Sequence, residues 1–434
     1  MRKSILLLTL LVTASLAVSV GFKRNFRSEI GFLNDYMDLM VYAVRGSWYP
    51  YSKTPYTEVP SEYPQAATYF FAVPYVILDF PGPLDTRLIG DLETFLGSDV
   101  KANPNLPDSK HLRNRLFLRY SLVFSLLMVP FLFFSILIVH RLRPDRKYLA
   151  YLMLLPAGLY FTHNRFDIIP AFLSLLAIYL LSRDRIGLSA LVLALGFLTK
   201  WYVILLLPIF LTYFYTRSGK ISRRMILVFV ITCLALLLPA LLSGGIRGLI
   251  APYLTQLSRD LDQPSLFYLV YMLFQREFGL DVFNIYTSAA LLVLQFSMIP
   301  LAVTSSIDSI GKVIGWSLLS VLVFIIFARI NSPQWILWVS PLLILLAGGR
   351  LYVAGIVLLD LLSYLQYPVL YTFHTFKDSY HEMFFVVFSV KLALLIAFAA
   401  YIFCRLIKDN SVFSYLHRPS AGSPGAGGAS GLKC

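Results

Sequence analysis

Residues 118–140 read LRYSLVFSLLMVPFLFFSILIVH, an apolar run with one charged residue, Arg119, near its start. A helix needs about 20 predominantly apolar residues to cross a bilayer, so this run is long enough to span alone. Runs of spanning or near-spanning length recur along the chain, at residues 4–21, 147–162, 167–182, 186–199, 201–216, 225–243, 284–303, 312–327, 335–348, 351–366 and 384–404. We therefore predict an all-α polytopic membrane protein with about 12 transmembrane helices.

The composition agrees with a chain that lies in a bilayer. Of its 434 residues, 58% are hydrophobic and 14% are charged, whereas soluble domains have about 45–50% apolar and about 25% charged residues. The net charge of +14 comes from short basic clusters between the apolar runs, which are typical of topology signals that face anionic lipid. We expect the lipid bilayer as a partner, and no nucleic acid. Three widely spaced cysteines indicate neither a disulfide framework nor a metal site.

The apolar, aromatic segment 67–80 decides the predicted topology. If it spans the membrane, the basic residues within 141–147 lie outside. If it lies in the interface, they are cytoplasmic, as the positive-inside rule requires. The second choice also places the later basic clusters inside, so we adopt it.

This topology predicts one multi-spanning domain, residues 1–418, in the cell (plasma) membrane with both termini cytoplasmic. Residues 22–117 form a long first extracytoplasmic loop region with interfacial helices. The first apolar run could be a cleaved signal peptide, but a retained helix is favoured because many spans follow. Residues 419–434 are rich in Gly, Ser and Ala and are expected to form a disordered cytoplasmic tail.

Polar groups gather on the predicted extracytoplasmic side. They are Asp35 and Asp38 with Glu62, residues 163–167, Lys200, residues 259–265 and residues 329–334. Ionisable groups at helix ends near a bilayer are costly unless they are solvated, paired or functional. Their convergence on one face predicts a composite site.

Asp35 and Asp38 stand three residues apart and would share one face of a helix. A semi-buried carboxylate could act as general base toward a sugar hydroxyl, and two could share a divalent metal such as Mg²⁺ or Mn²⁺. The alternative is a pair of solvated loop acids. The sequence indicates no cofactor with certainty.

Other ionisable residues also have two readings. Lys200 could extend its ammonium to the interface or bind a phosphate. Arg165 and Asp167 could pair with each other. Asp360, inside an apolar run, is either paired within the bundle or functional.

Short motifs follow one another between about residues 30 and 340. They are Asp35 or Asp38, Tyr42, Gly46-Ser-Trp-Tyr-Pro50-Tyr51, Glu62-Tyr63-Pro64-Gln65, Asn164-Arg165-Phe166-Asp167, Lys200-Trp201-Tyr202, Arg259 with Ser265, and Ser332-Pro333-Gln334-Trp335-Ile336-Leu337-Trp338. This order resembles the GT-C-type integral membrane glycosyltransferases, most closely the family 87 polyprenyl-phosphate-mannose-dependent group. Gln65 stands where the family's Glu-Tyr-Pro-Pro motif has its second proline. The stretch from the aspartates to Gly46 is also shorter than is usual in the family. That spacing fits Asp35 better as the family's base, although both aspartates stay candidates.

The resemblance implies a GT-C-like fold and transfer of a sugar, by default mannose, from a polyprenyl-phosphate donor. The acceptor would be a hydroxyl of a glycan or glycolipid on the extracytoplasmic side, and the transfer would invert the anomeric carbon. Asp35 or Asp38 would be the catalytic base. The implied substrate-binding residues are Glu62, Tyr63, Tyr51, Asn164, Arg165, Asp167, Lys200, Tyr202, Arg259, Arg329 and Gln334.

A multi-spanning transporter or flippase of a lipid-linked or small polar substrate is the main alternative. Such a protein places its ionisable residues near mid-membrane on broken helices. Here they lie in predicted outer loops or at helix ends, Asp360 excepted, so the sequence favours the enzyme.

Overall fold

The computed structural model describes residues 36–50, 52–78, 115–257, 265–270, 285–370 and 379–408, with a few positions of the first apolar run. Within these ranges the protein is built from helices and contains no strand; one isolated bridge joins Pro55 and Val59. The α-helices are α1 (Tyr36–Gly46), α2 (Gln65–Ile77), α3 (Arg115–Leu142), α4 (Pro156–Asn164), α5 (Ile168–Ser182), α6 (Ile186–Thr199), α7 (Leu206–Ser218), α8 (Arg223–Leu257), α9 (Ile285–Phe296), α10 (Met298–Thr304), α11 (Ile310–Ile326), α12 (Ile336–Leu346), α13 (Arg350–Tyr364) and α14 (Ser379–Ile407). The predicted tail, 419–434, lies outside the described residues.

The described residues include helices that are long and apolar enough to cross a membrane. Four qualify alone, namely Arg119–Leu142, Arg223–Thr255, Arg350–Leu370 and Glu382–Ile407. A fifth span arises if α4 and α5, which meet at an angle of 109°, are counted as one broken span. The chain is therefore an all-α membrane protein, whereas the count of about 12 spans stays a prediction.

Several predicted spans are short or broken helices. The run 147–162 consists of a 3₁₀ helix, Pro144–Leu154, followed by α4. The run 201–216 likewise begins with the 3₁₀ helix Trp201–Leu205 before α7. Apolar composition alone does not reveal such breaks, because the side chains on both sides of each break are hydrophobic.

The segment that decides the predicted topology forms α2, which packs closely on α1. Tyr75 donates a hydrogen bond from its hydroxyl to the carbonyl of Ala43 at 2.7 Å. Gly46 makes this approach possible, since a Cβ there would lie 2.1 Å from the carbonyl oxygen of Phe71. Tyr120 of α3 donates to that same carbonyl at 2.9 Å. These contacts fix the first predicted loop region against the helical bundle.

Asp360 lies in α13 and caps the N-terminus of α4. Its two carboxylate oxygens accept hydrogen bonds from the backbone N–H groups of Ala157 and Gly158, each at 3.0 Å. The first N–H groups of a helix have no partner within it, and the helix dipole favours a negative charge there. Of the two readings of Asp360, the structure therefore gives the one in which it is paired inside the bundle.

We expect Asp360→Ala to reduce the free energy of unfolding by about 1–3 kcal/mol, because two buried N–H groups lose their acceptor. Asp360→Asn keeps one acceptor oxygen and should lose less. Thermal unfolding in detergent measures both. Asp308→Ala is the control, since its carboxylate is 54% exposed and such groups contribute less than about 1 kcal/mol. Equal melting temperatures for Asp360→Ala and the control would contradict the capping role.

The predicted topology can be tested at two exposed positions. Thr57 follows α1 in the first loop region, and Lys220 lies between α7 and α8. With Cys233, Cys404 and Cys434 replaced by Ser, Thr57→Cys should react with an impermeant maleimide on intact cells. Lys220→Cys should react only after permeabilisation, because its basic cluster is predicted to be cytoplasmic. The reverse pattern would overturn the topology.

Candidate active site

Asp38, in the first turn of α1, faces the loop between α4 and α5. Its carboxylate forms an ion pair with the guanidinium of Arg165. Tyr42, one turn further along α1, donates its hydroxyl to Asp38 Oδ2 at 3.3 Å. The Asp38 side chain is 28% exposed while that of Arg165 is 7% exposed, so the carboxylate lies at the edge of the bundle.

The bend between α4 and α5 places charged side chains inside the bundle. Arg165 ends α4 with an extended backbone, and Asp167 precedes the first residue of α5. The amide of Asn164 donates to the carbonyl of Tyr160 at 2.9 Å, and the hydroxyl of Ser125 donates to the carbonyl of His163 at 2.6 Å. These hydrogen bonds hold the C-terminal end of α4 in place and so constrain the direction in which the chain enters the bend.

Asp167 joins two further predicted motifs. Its carboxylate oxygen Oδ1 lies 3.1 Å from Nζ of Lys200 and accepts a hydrogen bond from the indole N–H of Trp338 at 2.9 Å. Asp167 is fully buried. A buried carboxylate is costly unless it is paired and hydrogen-bonded. Oδ1 makes both kinds of contact, whereas Oδ2 has no hydrogen-bond partner among the described residues.

Aromatic rings surround the ammonium of Lys200. Its Nζ lies 4.5 Å from the ring centroid of Phe166, 5.4 Å from that of Trp338 and 5.7 Å from that of Tyr63. Cation–π attraction adds to the ion pair and strengthens as water is excluded. The Lys200 side chain is 19% exposed, so it is not fully enclosed by these rings.

The Trp338 ring beside Lys200 belongs to a stack of three aromatic rings. Tyr202 lies on Trp338 with ring centroids 4.1 Å apart, and Trp335 lies on the same indole at 4.6 Å. Two 3₁₀ turns, Trp201–Leu205 and Pro333–Trp335, position these rings. The indole of Trp338 therefore stacks against two other rings.

The loop between α1 and α2 completes the cluster. Tyr63 meets the rings of Phe71 and Phe166 edge to face, at 5.2 Å each. The carbonyl of Tyr63 accepts a hydrogen bond from the hydroxyl of Tyr56 at 2.8 Å. Burial raises the pKa of that phenol, which keeps it a donor. Glu62 is instead paired with Arg45, 2.9 Å from its Nε.

The predicted site residues thus fall into three sets. Contacts link Asp38, Tyr63, Arg165, Asp167, Lys200 and Tyr202 into one group through Phe166, Trp338 and Tyr42. Glu62, Asn164 and Gln334 make other contacts: Glu62 pairs with Arg45, Asn164 donates to the carbonyl of Tyr160, and Gln334 accepts a hydrogen bond from Ser332. Arg329 is half-buried. Asp35, Tyr51 and Arg259 lie outside the described residues.

The ion pairs differ from the interpretation in which Arg165 and Asp167 pair with each other. Arg165 and Asp167 do not simply pair with each other, since Arg165 pairs with Asp38 and Asp167 pairs with Lys200. They stand two residues apart without a helical turn between them, and so can reach different partners. Trp338, Phe166 and Tyr42 were part of the motifs but not of the predicted site, because their contacts with Asp167, Lys200 and Asp38 depend on how separate segments pack.

A shared metal between Asp35 and Asp38 stays a prediction, because Asp35 is outside the described residues. Among the described residues no group of three or more His, Cys, Asp and Glu side chains could hold a metal ion. Asp38 instead has a guanidinium beside its carboxylate.

A scan against protein-family models finds no match to the chain, and a search of curated proteins finds none either.

We expect Asp167→Asn to destabilise the protein by about 3–5 kcal/mol, because the Lys200 ammonium loses its counter-charge next to buried rings. Asp167→Asn combined with Lys200→Met should recover part of this loss. Unfolding in detergent, followed by circular dichroism, measures both.

Asp184→Asn is the matched control for this prediction. Asp184 also pairs with a cation, Arg217 at 3.5 Å, but its side chain is 78% exposed, so we expect less than about 1 kcal/mol. If Asp167→Asn were as mild as Asp184→Asn, the pair with Lys200 would not hold these helices together.

Proposed function

We propose that the protein is a membrane glycosyltransferase that moves a sugar from a polyprenyl-phosphate donor to a hydroxyl of a glycan or glycolipid. One observation carries the proposal. Sequence-distant segments bring an accessible carboxylate, two cations and several aromatic faces into one contact network. A carboxylate, cations and rings are the groups that transfer from a phosphate-linked sugar requires.

Asp38 is the described candidate for the general base of this reaction. Asp38 is partly exposed at the edge of the bundle and is oriented by Tyr42 and Arg165. In the proposed reaction, the acceptor hydroxyl attacks the anomeric carbon while its proton passes to the carboxylate. The bond from that carbon to the phosphate oxygen breaks, and the electron pair leaves with the polyprenyl phosphate. Asp35 is the other candidate for this role.

The cations would stabilise the leaving phosphate. Negative charge grows on the phosphate oxygen as the bond breaks, so a nearby ammonium or guanidinium lowers the barrier. Lys200 and Arg165 are the described cations next to Asp38 and Asp167. Both are held by carboxylates and rings before substrate arrives, so the charges are already in place.

The rings and the apolar helices fit a lipid-linked sugar. Aromatic faces such as that of Tyr63 can stack on a sugar ring, and the lipid chain would lie in the bilayer beside the spanning helices. We propose the extracytoplasmic face of the cell membrane for this reaction, since the positive-inside rule puts the basic clusters on the other side. Mannose is the default donor sugar of the family that the motifs resemble.

A transporter is the second candidate, and one feature favours it. Arg165 and Asp167 lie where α4 and α5 meet at 109°, and transporters use charged residues at such breaks in membrane helices. The same geometry also suits an enzyme whose site lies at helix ends. Turnover of a donor separates the two.

We expect Asp38→Asn to lower the transfer rate by about 10²–10⁴-fold if Asp38 is the base. Its melting temperature should fall less than that of Asp167→Asn, because the Asp38 side chain is 28% exposed. Asp35→Asn should have that effect if Asp35 is the base. Purified protein in nanodiscs, supplied with radiolabelled polyprenyl-phosphate sugars and membrane glycolipid, gives the measurement. Asp308→Asn, an exposed carboxylate, is the control and should remain active.

Two results would contradict the proposal. Full activity in both Asp35→Asn and Asp38→Asn would remove the base. No product from wild-type protein with any mannose, glucose or arabinose donor, together with uptake of a polyprenyl-phosphate sugar across proteoliposomes, would favour the transporter.

A further inference from the structure

Gln366 is a fully buried polar side chain that makes no hydrogen bond to any residue the structure describes. Its exposure is 0%, and within the described part of the chain neither Oε1 nor Nε2 has a partner. Buried amides are almost always hydrogen-bonded, because an unpaired donor or acceptor in the interior is costly. Both functional atoms of Gln366 bear that cost, so a ligand is expected to relieve it.

The backbone around Gln366 is irregular. The span that begins at Arg350 ends in a π turn, Leu365–Leu370, in which Tyr367 has an extended backbone (φ −148°, ψ 124°). π turns are rare and occur frequently at functional sites. The interruption ends the helical repeat at this glutamine.

The π turn is connected to the candidate active site through the next residue. The ring of Tyr367 lies 5.3 Å from the guanidinium of Arg165, and Arg165 pairs with Asp38. Tyr367 also packs on Tyr160 and Phe161 at the end of α4, at 6.2 and 6.3 Å. Gln366 is therefore one residue from a ring that contacts the proposed phosphate-binding cation.

Other buried glutamines donate hydrogen bonds through their amides. Nε2 of Gln65 donates to the carbonyls of Gly248 and Leu249, at 3.2 and 3.3 Å, although Oε1 of Gln65 has no partner among the described residues. Nε2 of Gln295 donates to the carbonyl of Phe327 at 2.8 Å. Each of these side chains links two segments by a hydrogen bond. The Gln366 side chain forms no such link within the described part of the chain.

We propose that Gln366 is a specificity-determining residue that binds hydroxyl groups of the donor sugar, an inference that rests on the proposed function. A carboxamide offers N–H donors and a carbonyl acceptor, and a sugar hydroxyl both donates and accepts. An ionised phosphate diester only accepts, so it would satisfy half of the group. The chemistry of Gln366 therefore matches the sugar of the donor and not its phosphate.

The test compares Gln366→Met with wild type in nanodiscs. The two ligands are undecaprenyl phosphate and whichever of its mannose, glucose or arabinose conjugates the wild type binds most tightly. We expect Gln366→Met to weaken binding of the sugar lipid by about three- to tenfold, the effect of losing an uncharged hydrogen bond. Binding of sugar-free undecaprenyl phosphate should not change. The melting temperature should stay equal or rise, since the unpaired buried amide is removed.

Gln295→Met is the matched control, because it removes an amide that does hold a carbonyl. It should lower the melting temperature and leave both dissociation constants unchanged.

Equal sugar-lipid binding by Gln366→Met and wild type would overturn the inference, as would equal weakening of the binding of both lipids. A fall in melting temperature as large as in Gln295→Met, without a change in sugar binding, would show a structural amide and also overturn it. If wild type binds neither lipid, the proposed function fails and the inference falls with it; if it binds both, only the inference is at stake.

Discussion

The buried carboxylate of Asp167 is the contact on which the arrangement of the site depends. One of its oxygens receives both the ammonium of Lys200 and the indole N–H of Trp338. That single atom connects the start of α5, the residue after α6 and the helix α12. An unpaired carboxylate at this depth would be strongly unfavourable, so the three segments must stay together whenever Asp167 is ionised.

The break between α4 and α5 makes this contact possible. A continuous helix through residues 164–168 would direct Arg165 and Asp167 to different sides of one cylinder and leave its backbone bonds intact. The bend exposes backbone groups and requires support elsewhere. Ser125 and Asn164 supply it at the end of α4, while Asp360 caps the opposite end of that helix. The polar residues inside the bundle thus act on the backbone as well as on one another.

The sequence predicted the helical membrane class and the residue types of the site, because hydrophobicity and charge are local properties of the chain. It also brought Asp38, Arg165 and Lys200 together, through an argument from topology. It did not predict which charge pairs with which, the cap by Asp360, or the orphan amide of Gln366. These three features depend on how separate helices pack against one another. The spacing of residues along the chain does not predict that packing. The 3₁₀ helices and the breaks inside predicted spans have the same cause, since a run of apolar residues has the same composition whether it forms an α-helix, a 3₁₀ helix or a break.

The cross-pairing of charges has a consequence for the proposed chemistry. Asp38 and Asp167 balance Arg165 and Lys200, so the group is electrically neutral before a donor binds. A phosphate diester adds one negative charge, and it must then compete with Asp38 for Arg165 or with Asp167 for Lys200. Asp167 is the harder to displace, because Trp338 also holds it and it is fully buried, whereas Asp38 is partly exposed. Competition would therefore free Asp38 from its guanidinium, and a carboxylate that loses a neighbouring cation becomes a stronger base. In such a site, donor binding itself would prepare the residue that accepts the proton.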